Sequence, residues 1–70
     1  MTTTDPISVP NLPRNNQPAI DRFLSGLVVN YHAVIRLEDE PDENGNAVIV
    51  ATHGDPEVLE ALKKEIEERV

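Results

Sequence analysis

The spacing of apolar residues changes along this chain, and each change marks an element. From Pro18, Ala19, Ile20, Phe23, Leu24 and Leu27 recur at helical spacing, with Asp21, Arg22 and Ser25 on the other side. Asn15 or Asn16 can cap this helix, Pro18 suits its first turn, and Gly26 can close it. After Gly26 the period becomes two. Val29, Tyr31, Ala33, Ile35 and Leu37 alternate with Val28, Asn30, His32, Val34 and Arg36, which predicts a strand from Leu27 to Glu38. A heptad runs through the same stretch, because Ile20, Leu24, Leu27, Tyr31 and Val34 step by four and three; the alternative is one long helix from Pro18 to Glu38. The strand is preferred for three reasons. Gly26 inside a helix costs about 1 kcal/mol, β-branched residues become dense after it, and a second strand further on needs a ladder partner.

That second strand is Ala47-Val48-Ile49-Val50-Ala51-Thr52, apolar on both faces and so expected to be covered on both. The connection contains Asn44-Gly45, a strong hairpin signal, and Pro41, which ends regular pairing. Loop length leaves the register open, so either Val48, Val50 and Thr52 or Ile49 and Ala51 face outward. The last element is an amphipathic helix capped at Asp55, with Pro56 at its first position. Leu59, Leu62, Ile66 and Val70 form its buried stripe, with Val58 and Ala61 beside it. Glu60 with Lys64 and Glu65 with Arg69 are acid-before-base pairs four residues apart.

Residues 1–16 fit neither period. Pro6, Pro10 and Pro13 and the Thr2-Thr3-Thr4 run favour extended backbone, and the segment is expected to be a flexible arm. Ile7, Val9 and Leu12 are more apolar content than a spacer needs, and suggest that the arm docks on a partner or a neighbouring subunit. The expected organisation is therefore an arm over 1–16 and one small domain over 17–70. Its class is α+β: a short helix, an antiparallel hairpin and a C-terminal helix, both helices on one face of the sheet. This order resembles the middle of a ferredoxin-like sandwich without its outer strands, in sequence of elements only.

Composition narrows the chemistry. The 70 residues carry 13 acidic and 6 basic side chains, a formal net charge of -7, which disfavours direct binding to nucleic-acid phosphates. The absence of cysteine excludes a disulfide framework, a thiolate metal site and a thiol nucleophile. No apolar run approaches a membrane span and no signal segment opens the chain, so a cytoplasmic location is expected. The single Phe and Tyr, with no Trp, make a thin core, and a chain this short is expected to complete it as a homo-oligomer, a dimer in the simplest case.

The acidic run Glu38, Asp39, Glu40, Asp42 and Glu43 is the most conspicuous cluster. Glu40, Asp42, Asn44 and Gly45 match the first positions of a calcium loop, but Ala47 and Ala51 stand where its aliphatic anchor and bidentate Glu belong, so no metal is expected. On an extended strand the same carboxylates would project about 6.6 Å apart, a spacing that suits mimicry of a nucleic acid before a basic groove. His32 and His53 fall on different predicted strands and lack a third ligand. No serine lies in a nucleophile elbow and no glycine-rich phosphate loop occurs, so neither an enzyme nor a cofactor is expected. The expected function is that of a non-enzymatic accessory or regulatory protein acting through another protein. Its contact residues are expected to be Val48 and Val50 on the hairpin with Ile7, Val9 and Leu12 on the arm; the alternative is an acidic nucleic-acid mimic using the five carboxylates.

Overall fold

The computed structural model describes residues 1–69 and is α+β, with two helices against one antiparallel sheet. In chain order the elements are β1 (Thr2–Thr3), β2 (Ile7–Pro13), α1 (Gln17–Tyr31), β3 (Val34–Leu37), β4 (Asn46–His53) and α2 (Pro56–Glu67). Every strand pairs with β4. Thr3 and Val34 both lie across from Thr52, and Ile7 and Leu37 both lie across from Ile49. β1 and β2 therefore share one side of β4 and β3 holds the other. β2 and β3 run parallel with β4 between them, so β2–α1–β3 is a split β-α-β unit, and the order extends the helix-hairpin-helix expectation by an N-terminal strand.

That strand corrects the expected flexible arm. Ile7, Val9 and Leu12 are 7%, 0% and 1% exposed and belong to the chain's own core, so they are not available to a partner. The prolines are compatible because β2 is an edge strand, where a missing N–H costs no ladder bond. Asn11 adopts a left-handed φ of 59° within the register shift between Ser8 and Pro13. This bulge changes the parity of the strand, which lets Val9 and Leu12 both point inward although they are three positions apart.

The first helix is longer than expected and the following strand shorter. Helix α1 passes through Gly26 and ends only at His32, whose left-handed φ of 54° and N–H bond to the Val28 carbonyl close it. Continuing the helix keeps Phe23, Leu27 and Tyr31 in line at spacings of four, with Leu27 buried, and this burial offsets the glycine cost. Asn16 caps the other end, its side chain accepting the Ala19 N–H at 3.4 Å. The two-residue alternation is real only from Ala33, after which Ile35 and Leu37 lean on the core and Val34 and Arg36 face away.

The hairpin register puts Ala47, Ile49 and Ala51, all 0% exposed, on the helix side, with Val48, Val50 and Thr52 opposite. Its turn is not built on Asn44-Gly45 as a mirror-image pair, since Gly45 alone has positive φ, at 80°. The Gly45 N–H donates to the Asp42 carbonyl at 3.0 Å, and the Asp42 carboxylate accepts the N–H groups of Asn44 and Asn46 at 2.8 and 2.9 Å. Helix α2 matches its sequence pattern. The Asp55 side chain accepts the Glu57 N–H at 2.9 Å, and Leu59, Leu62 and Ile66 are buried; Val70 lies outside the described residues.

Candidate interaction surface

Both helices bury their apolar stripes against Ile7, Val9, Ala47, Ile49 and Ala51, so one face of the sheet is the core. Strand alternation then assigns the residues of the other face. Across β4 it carries Val48, Val50 and Thr52; along β3, Val34 and Arg36, continued by Glu38, whose N–H donates to the Val48 carbonyl; along the opposite side, Thr3 and Ser8. Its centre is apolar and its margin polar. Val34 is 63% exposed, Val48 half-buried, and Val50 sunk between neighbours at 7%. The Thr3 and Thr52 hydroxyls meet at 3.0 Å, and Arg36 approaches Glu38 at 3.9 Å, too far for a hydrogen bond.

Of the five residues expected at a contact surface, the structure places Val48 and Val50 together on this face and Ile7, Val9 and Leu12 inside the molecule. Val34 is the member that sequence reasoning missed. Its signal was its place in the alternation, out of phase with Ala33, Ile35 and Leu37.

The acidic residues have a different geometry from the expected strand. Glu38 follows the last residue of β3, and Asp39, Glu40, Asp42 and Glu43 lie in the connection to β4, so there is no extended row of carboxylates at strand pitch. Asp42 is engaged by two backbone N–H groups of its own turn, and the Glu38 carbonyl accepts Arg14 Nε at 3.3 Å. Asp39, Glu40 and Glu43 are exposed. Among the described residues no three His, Cys, Asp or Glu side chains are grouped to hold a metal ion. His32 caps α1, while His53 Nδ1 accepts the Asp55 N–H at 2.8 Å.

An open groove of about 560 Å³ lies between α1 and α2, with Phe23, Gly26 and Leu27 on its floor and Arg22 and Arg69 along it. Its carboxylate, Glu65, lies near Tyr31. Burial first, and then the neighbouring Glu65 carboxylate, raise the Tyr31 hydroxyl above its ordinary value of 10.0. Arg69 does not form the expected pair with Glu65 four residues before it. It reaches across α1 instead, its guanidinium 4.7 Å from the Phe23 ring centroid and its Nε donating to the Pro10 carbonyl at 3.2 Å. These side chains tie α1, α2 and β2 together.

The fold and surface define a small α+β domain with one face of its sheet left without helices. No family model matches the chain, and no curated protein or solved structure matches it. Among the described residues no helix is long and apolar enough to cross a membrane.

Proposed function

We propose that this chain is a non-enzymatic accessory or regulatory protein that acts by binding another protein on the open face of its sheet. The observation that carries this reading is the arrangement of Val34, Val48 and Val50 inside a margin of Thr3, Ser8, Thr52, Arg36 and Glu38, on the side opposite both helices. An apolar centre with a polar margin is the anatomy of a protein interface.

The test is recovery of a partner from the native host by the tagged chain, in parallel with Val34→Glu and Val48→Glu. A partner held by the native chain at moderate salt and lost by both variants, with thermal unfolding unchanged, supports the face. Equal recovery by all three overturns it. The alternative, an acidic mimic of a nucleic acid, has less support because four of its five carboxylates lie in the β3–β4 connection and Asp42 is engaged by two backbone N–H groups of its own turn. It predicts binding that falls steeply with salt and disappears when the five acids become amides.

A further inference from the structure

We propose that two copies of this chain associate edge to edge through β3, antiparallel, with Leu37 on the two-fold axis and Arg36 of each copy facing Glu38 of the other. This concerns the edge of the sheet and a second copy, whereas the preceding reading concerns its face and a different protein. Each can fail without the other.

The hydrogen-bonding parity of the hairpin determines what the edge offers. In an antiparallel pair, alternate residues exchange both backbone bonds with the neighbouring strand, and the residues between them point theirs away. The Glu38 N–H donates to the Val48 carbonyl, so Arg36 and Val34 also bond inward to β4, opposite Val50 and Thr52. Ile35 and Leu37 therefore aim their N–H and C=O groups off the sheet. Neither residue has another backbone or side-chain hydrogen bond among the described residues. Such a row is a template for another strand.

The opposite edge is protected. β2 carries Pro10 and Pro13, its Asn11 bulge breaks the ladder, and the Pro10 carbonyl is already occupied by Arg69. β3 has no proline, no bulge and no covering side chain bonded to its edge.

A symmetric antiparallel pair must set outward-bonding residues opposite one another, which leaves three registers within β3. Ile35 on the axis places Val34 opposite Arg36 and drives Leu37 toward Ala33, at the corner where α1 ends in left-handed His32. Arg36 on the axis sets two guanidinium groups face to face, which is destabilising. Leu37 on the axis places Arg36 opposite Glu38 twice. These are non-hydrogen-bonded positions, where side chains approach most closely.

Both charged groups are free to respond. Their contact within one chain is 3.9 Å long, and the side chains are 73% and 35% exposed. In the same register the half-buried Leu37 side chains meet across the axis on the core side, and the acidic connections lie on opposite sides of the axis, each starting with Asp39 beside the other copy's Ile35. Opposite charge and apolar closure thus select a second copy as the occupant and one register as its geometry.

The experiment is sedimentation equilibrium of the full chain over the micromolar to millimolar range, for the native protein, R36E, E38R and the double reversal R36E/E38R. The expected result is a reversible dimer, weakened about tenfold by either single reversal because two cross-strand pairs become repulsive at once. The double reversal restores native association. A chemically made chain with an N-methyl group on Leu37 should be monomeric, since that N–H points away from β4. A native chain that stays monomeric throughout overturns the proposal. Single reversals without effect, or a double reversal that does not recover, overturn it as well. If the N-methyl chain does not fold, the charge cycle at the two exposed positions decides alone.

Discussion

The guanidinium of Arg69 lies 4.7 Å from the centroid of the Phe23 ring, close enough for its charge to act on the ring face. With its bond to the Pro10 carbonyl, this one side chain joins the end of α2 to the middle of α1 and the outer edge of β2. Arg69→Ala is expected to cost about 1 kcal/mol. Arg69→Gln, which keeps much of the stem, should recover part of that loss. Urea unfolding monitored by circular dichroism measures both.

Gly26 has an ordinary helical backbone, and a Cβ built there meets no heavy atom within 4 Å. Gly26→Ala should therefore stabilise the protein by about 0.5–1 kcal/mol, through helix propensity and a smaller unfolded ensemble. A thermal midpoint that falls would mean that the space beside α1 is not open.

Leu12 is 1% exposed and belongs to the core, so cutting it back leaves a cavity. Leu12→Ala should cost about 2–5 kcal/mol, enough to unfold much of the population of so small a domain. Deletion of residues 1–13 should abolish the cooperative unfolding transition, where loss of a flexible arm would leave it intact. Differential scanning calorimetry separates the two cases.

Asp42→Ala removes the acceptor of two backbone N–H groups in the β3–β4 connection. About 1–2 kcal/mol of stability should be lost. Asp42→Asn keeps an acceptor oxygen and should lose less, as read from chemical denaturation of the two variants.

The hydroxyl of Tyr31 is raised above 10.0 by burial, then by the neighbouring Glu65 carboxylate. A group whose folded value is raised contributes stability that is complete below its unfolded value and is lost as pH climbs through the folded one. Alkaline solution above about pH 10 should therefore destabilise the native chain more than Tyr31→Phe. Parallel melting curves against pH test the difference.

Helix α2 is legible in the sequence residue by residue, because Asp55, Pro56 and the stripe of Leu59, Leu62 and Ile66 are local signals of the same element. Strand β4 is legible for the same reason, and so is the α+β class. The end of α1 is not, since Leu27 to Tyr31 suits a helix and a strand equally and only packing against the sheet decides. Strand β2 is hidden by Pro10 and Pro13, which give an edge strand the composition of a linker. The clue lies elsewhere in the chain. A strand apolar on both faces, as Ala47 to Ala51 is, belongs in the middle of a sheet and needs two flanking strands, while the hairpin supplies one. Three of the five expected contact residues, Ile7, Val9 and Leu12, followed the misplaced arm into the core. Val48 and Val50 kept their face because the register they required is the one that forms.

The Thr3 and Thr52 hydroxyls that meet at 3.0 Å are 49 positions apart, and β4, on which every ladder depends, is the last strand in the chain. On the ribosome, β1 and β2 emerge with nothing to pair with, and α1 follows with no surface to cover. The hairpin of β3 and β4 is the first sheet structure that can close. The N-terminal strand then returns to it across nearly the whole chain, a long-range step that sets the pace of folding. Until that return the far side of β4 stays open to other strands.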